Sequence, residues 1–333
     1  MSPETLAAPA HTATRPMALL GPQHTTPTLR AALEAIGATG PIMLVAAGWE
    51  EREAETGELE AHLGSEVQNL GLWPACEEAF GQDSDLRAQM FARHDRMLEL
   101  SRIYRIRLGA ELSALRRLLA ETDPGSPNDL IGPALAPAFE ALQALDQSHL
   151  ARVAEVNDEV FGAMGDRDAV RVTAERVAEQ IAQAGTLLVA GGHVGILYNR
   201  LRLFGVLDAL PESAAVVGWS AGAMVLTERI LLFHDSPPQG AGDAELLGPG
   251  LGLATGIAAL PHAGSRLDLD DAARVALLAR RMGEGAIAVA LDGGERVTSS
   301  KAGWIFDGQA RVLCSNGSIV TPESGSVAGG DCA

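Results

Sequence analysis

Four short apolar runs, each closed by glycine, set the tightest limit on how this chain folds. They are Met17-Ala18-Leu19-Leu20-Gly21, Ile42-Met43-Leu44-Val45-Ala46-Ala47-Gly48, Thr186-Leu187-Leu188-Val189-Ala190 before Gly191-Gly192, and Val216-Val217-Gly218. A strand that is apolar at every position, rather than at every second one, has to be covered on both faces. Helical patterns lie among these runs: 28–36 closed by Gly37, 167–184 closed by Gly185, and about 194–208. Such alternation predicts an α/β fold, a parallel sheet flanked by helices. A chain of 333 residues is long enough to bury that core. With aromatic residues at only 4%, Ala, Leu and Val must fill most of it.

Residues 1–15 read as a flexible arm of Ala, Pro and Thr, and 16–333 as one α/β domain. A helical insertion interrupts that domain at about 82–163. Leu108, Leu112, Leu115 and Leu119 fall at helical spacing, a turn follows at Asp123–Asn128, and Phe139, Leu142, Val153, Val156 and Val160 form a second apolar face. Core cover, dimer contact and active-site lid are the three roles open to it. A helix is expected at 221–231. The tail predicts strands at 286–291, 295–299, 303–306 and 311–313, arranged as small antiparallel hairpins.

Acidic residues outnumber basic ones 43 to 25, a net charge of −18. That charge repels phosphates and anionic lipid, so neither nucleic acid nor a membrane is an expected partner. No run of 18 apolar residues and no basic-then-apolar leader is visible, and Cys76, Cys314 and Cys332 show neither a disulfide framework nor metal-ligand spacing. A cytoplasmic location follows as the expectation. The histidines form no H-E-x-x-H cluster, and no G-x-G-x-x-G after a strand or P-loop lysine occurs, so neither metal nor cofactor is expected.

The segment Gly218-Trp219-Ser220-Ala221-Gly222 carries the chemistry. A strand turning sharply into a helix through G-x-S-x-G lifts the serine hydroxyl clear of the backbone. Ser220 is thus the candidate nucleophile. The Ala221 N–H, with those of Gly191 or Gly192, forms the candidate oxyanion hole. His262 ends the apolar stretch Gly250–Pro261 and is the candidate general base. Its acid partner is either Asp235 or Asp292. His193, Trp219 and Arg266 are candidate substrate-binding residues, Arg266 through a bidentate grip on a carboxylate.

Together, Gly191-Gly192, Gly218-Trp219-Ser220-Ala221-Gly222-Ala223, Gly250-Leu251-Gly252-Leu253 leading to His262, and the His262-x-x-x-Arg266 spacing resemble the peptidase family of aspartyl dipeptidase and cyanophycinase. The resemblance spans about residues 185–300. It implies a class I glutamine-amidotransferase-like fold, Ser220 as nucleophile, His262 as base, and a peptide or isopeptide bond, aspartyl or β-aspartyl, as the target. Asp235 matches an acid of the dipeptidase branch, and Asp292 lies one residue before a position often acidic in the family. The sequence departs from the pattern at His193-Val194-Gly195, where the family offers Asn or Gln, and at Asp268, where a second arginine often stands. The expected partner is accordingly a small peptide or peptide-like molecule, with a homodimer open. Two other readings stay in view: a non-catalytic binding or regulatory protein on this scaffold, and an esterase of another serine-hydrolase fold.

Overall fold

In the computed structural model, which describes residues 15–121, 128–232, 243–283 and 285–327, the glycine-closed runs lie side by side in one sheet. The first half of the chain forms β1 (Met17–Leu20), α1 (Leu29–Ala35), β2 (Ile42–Val45), a 3₁₀ segment (Ala47–Arg52), α2 (Gly57–Leu63), β3 (Gln68–Asn69), α3 (Leu72–Gln82), α4 (Ser84–Ala120) and α5 (Asn128–Gly165). Then come α6 (Asp168–Ile181), β4 (Thr186–Val189), α7 (Val194–Leu203), β5 (Ala215–Trp219), α8 (Ala221–Leu226), β6 (Arg229–Leu232), β7 (Glu245–Pro249), β8 (Ile257–Pro261), α9 (Ala263–Arg266) and α10 (Ala272–Arg281). Strands β9 (Ile287–Leu291), β10 (Arg296–Ser300), β11 (Gly303–Asp307), β12 (Arg311–Leu313) and β13 (Ile319–Val320) complete it.

The large sheet has seven strands in the order β11-β10-β1-β5-β4-β2-β3. Strands β1 to β5 run parallel, while β10 joins β1 antiparallel and β11 joins β10 antiparallel. Side chains alternate between two separate cores: Met17, Leu19, Met43, Val45, Leu187, Val189 and Val216 on one face, and Ala18, Leu20, Leu44, Ala46, Leu188, Ala190, Val217 and Trp219 on the other. Period-two alternation with both faces covered is why these runs are almost wholly apolar, the buried Thr186 spending its hydroxyl on the Thr39 carbonyl.

A smaller sheet, β13-β12-β9-β8, stands beside the first, with β8 and β9 parallel, and β6 and β7 form a separate antiparallel pair. Helices α4 and α5 pack along these smaller sheets. Their Tyr104, Leu108, Leu112, Leu115, Leu142 and Leu145 share a core with Leu246, Ala258, Leu260, Val275 and Leu278. The helical segment thus covers a core.

Several expectations change. The helix after Ser220 stops at Leu226, because Thr227 turns extended and its hydroxyl bonds the Met224 carbonyl at 2.8 Å; β6 follows. The tail is not a row of hairpins: β9 pairs parallel with β8, and only β10–β11 and β12–β13 are adjacent hairpins. Cys314 is disulfide-bonded, while Cys76 is free and buried. The expectation of unpaired cysteines is corrected, since sequence spacing does not show which sulfurs a fold brings together. Residues 1–14 of the expected arm, and 123–127 of the expected turn, lie outside the described residues. Among the described residues, no helix is long and apolar enough to cross a membrane.

Candidate active site

The C-terminal ends of β1, β2, β4 and β5 meet on one edge of the large sheet, the edge where open α/β sheets bind ligands. Here a cleft of about 570 Å³ opens, lined by Ser220, His262, Gly191, Gly192 and Trp219 together with Trp49, His24 and His62. Three non-glycine residues have positive φ among the described residues: Glu50 (58°), Ser220 (51°) and His262 (60°). Two line the cleft, and the third sits between Trp49 and Arg52, which also line it. Backbone strain is therefore concentrated at one place, as functional sites commonly show.

Strand β5 presents Ser220 at φ 51°, ψ −122°, and all six residues of α8 behind it are buried. Gly222 permits that turn. A Cβ there would come within 2.0 Å of the Val189 carbonyl, so any side chain would push β4 from the elbow. The loop after β4 closes against the loop after β2 in the same way: Gly192 has φ 104°, a Cβ on it would meet the Gly48 oxygen at 2.2 Å, and the His193 N–H donates to that oxygen at 2.8 Å. Gly191 consequently lies against the serine, where an added Cβ would be 3.3 Å from Oγ.

His262 comes from the other sheet. It follows β8, is fixed by its N–H donating to the Leu291 carbonyl at 3.1 Å, and presents Nε2 at 3.4 Å from Ser220 Oγ. That is hydrogen-bond range, at the long end usual for a nucleophile–base pair without substrate. The segment after His262 is held by Asp292, whose Oδ1 accepts the Gly264 N–H at 2.7 Å and whose Oδ2 pairs with Arg311. Both of its oxygens thus have partners other than the imidazole. Asp235 lies outside the described residues.

The remaining expected residues separate. Trp219 is buried and lines the cleft. The His193 ring is exposed, and its Nδ1 accepts the Ile196 N–H, capping α7. Arg266 ends α9, with its N–H on the His262 carbonyl at 3.1 Å, and is not among the residues lining the cleft. No group of three or more His, Cys, Asp or Glu side chains is placed to hold a metal among the described residues. The Cys76 thiol, pushed up to about 12 by burial, is in no state to act as a nucleophile.

Sequence reasoning missed the wall formed by Trp49, Arg52, Glu55, Glu58 and His62. Its signal was a tryptophan followed by charges directly after a buried strand, on the edge where β-strand ends gather. Glu53 anchors that wall. It is buried, and its carboxylate accepts N–H groups of Leu72 and Trp73 at 3.2 and 2.7 Å; desolvation raises its pKa.

No family model matches the chain, and no curated protein matches it. A similar solved structure is that of a peptidase from an acI-B1 Actinobacterium, 14% identical, with 95% of this chain and 97% of that one covered at a TM-score of 0.47. The fold and cleft define the class plainly: an α/β protein with a mixed central sheet.

Proposed function

We propose that the protein is a serine hydrolase that cleaves a peptide or isopeptide bond through an acyl-enzyme. One observation carries this reading: Ser220, strained at a strand-to-helix elbow, holds its Oγ 3.4 Å from His262 Nε2 on the floor of the cleft. Ser220 Oγ attacks the carbonyl carbon while His262 Nε2 takes its proton. The N–H of Ala221, with that of Gly191 or Gly192, receives the oxyanion. The imidazolium then protonates the leaving amine, and water deacylates the serine by the same route. The acid is Asp235 or Asp292; Asp292 already accepts the Gly264 N–H and pairs with Arg311 through its two oxygens, which weighs toward Asp235.

Trp49, Trp219, Leu29 and Leu59 give the cleft an apolar lining, while Arg52, His24 and His62 share it with Glu55 and Glu58, Arg52 being paired with Glu55 at 2.7 Å. This mixed lining suits a small peptide with an apolar portion better than one that is acidic throughout. Labelling with a fluorophosphonate, read by intact mass, tests the mechanism. A single adduct on Ser220, lost in Ser220→Ala and slowed on the order of 10³-fold or more in His262→Ala, is expected. Equal labelling of wild type and Ser220→Ala would exclude it. An acyl-peptide library screened with the reactive protein then fixes the substrate.

A further inference from the structure

Helix α4 is 37 residues long, about 55 Å at 1.5 Å per residue. One side is fully used: Leu86, Arg93, Tyr104, Leu108, Leu112 and Leu115 are buried within the fold. The opposite side carries Phe91, Leu98 and Ile106, which are 59%, 54% and 64% exposed. Apolar residues spaced seven and eight apart share one stripe of a straight helix. So long a stripe of large exposed side chains is unusual on a helix that otherwise satisfies its packing.

The stripe reads nearly the same in both directions. Reversing α4 about a point between Leu98 and Glu99 sets Phe91 opposite Ile106 and Asp95 opposite Arg102. It also sets Ala88 opposite Gly109 and Ser84 opposite Ser113, and all eight of these residues are exposed. At these four pairs apolar meets apolar, acid meets base, and small meets small; at the pivot Leu98 is set opposite Glu99, with its own copy one residue along the axis. A two-fold interface demands this arrangement, since whatever residue i touches must touch i in return. Small residues toward both ends let the backbones approach closely. In one chain Arg102 pairs with Glu99 at 2.6 Å, but both are more than half exposed, so that bond is weak and sharing Arg102 with a second carboxylate costs little.

We propose that the outer face of α4 is a self-complementary surface on which a second copy of this chain docks antiparallel, forming a two-fold homodimer. The apolar stripe supplies affinity, and the Asp95–Arg102 contacts, made twice, fix direction and register.

Sedimentation velocity on the full chain tests this. Wild type is expected to be a dimer at micromolar concentration, and Leu98→Glu, which sets two carboxylates side by side at the axis, raises the dissociation constant at least tenfold. D95R and R102E each weaken the dimer by creating like-charge contacts. An equimolar mixture of the two regains wild-type affinity, because a D95R chain meets an R102E chain with opposite charges at both contacts. Circular dichroism confirms that each variant keeps its helix content. A monomeric wild type, single charge variants that dimerise like wild type, or a mixture as weak as its components would overturn the proposal.

Discussion

At Ser220 the same backbone angles that expose the hydroxyl cost stability. A non-glycine residue at φ 51°, ψ −122° stores about 1–3 kcal/mol. Replacing Ser220 with Gly relieves the strain, and we expect the variant to gain about 1 kcal/mol in denaturant melts while losing all probe labelling. Ser220→Ala, which keeps the strain, is expected to lose labelling with little change in stability. Gly191 poses the reverse problem, for its φ is ordinary but the space beside it is taken by the serine. Gly191→Ala is therefore expected to keep the melting temperature within a few degrees and slow labelling at least tenfold. The elbow was legible in the sequence because G-x-S-x-G directly follows a short apolar run, where glycines on both sides of the serine permit a tight strand-to-helix turn. Trp49 was not, because a tryptophan followed by charges after a buried strand marks the strand's end but not which of its residues line the cleft.

Helices α4 and α5 are tied to the smaller sheets by a buried polar cluster. Arg281 of α10 pairs with Asp146 at 2.9 Å and donates to the Tyr104 hydroxyl at 2.7 Å, and that hydroxyl donates to Asp146 at 2.7 Å. Tyr104 stacks on His149 with centroids 4.2 Å apart. Removing one partner of such a buried pair strands the other charge. Asp146→Ala is expected to cost about 3–5 kcal/mol in urea unfolding, and a double leucine replacement of Asp146 and Arg281 to recover most of it. His149 Nε2 lies 3.0 Å from the Leu246 carbonyl, an acceptor only, so that nitrogen carries the proton. Burial lowers the pKa of His149. The unfolded chain then binds the proton more readily, so stability falls as pH drops below about 6.5 and levels once pH passes below the folded value. His149→Gln, which keeps a donor but does not titrate there, is expected to flatten the melting temperature across pH 5–7. The apolar spacing on both helices was readable in advance, with Leu108, Leu112, Leu115, Leu142, Val153 and Val156 all buried. The surface they cover was not, because spacing names a face and never its partner.

For the molecule as a whole, β1, β2, β4 and β5 were legible because burial on both faces leaves an unbroken apolar signature, whereas β3, the polar pair Gln68–Asn69 at the sheet edge, was not. The division of the remaining strands was hidden: β9 and β10 are separated by a few residues yet belong to different sheets. Nothing in the alternation of either strand marks that switch. It bears directly on the candidate site, since Ser220 leaves the seven-stranded sheet and His262 leaves the four-stranded one. Between them, Val225 and Leu226 of α8 share one core with Ile257, Ala259, Val289 and Leu291. The proposed nucleophile and base thus sit on separate sheets, and the 3.4 Å between them depends on how those sheets seat against each other. A slide of about 0.5 Å in that gap is expected to detune the hydroxyl without breaking any strand pairing. On gradual heating, probe reactivity is accordingly expected to fade before the far-UV helical signal does; simultaneous loss of both would count against this.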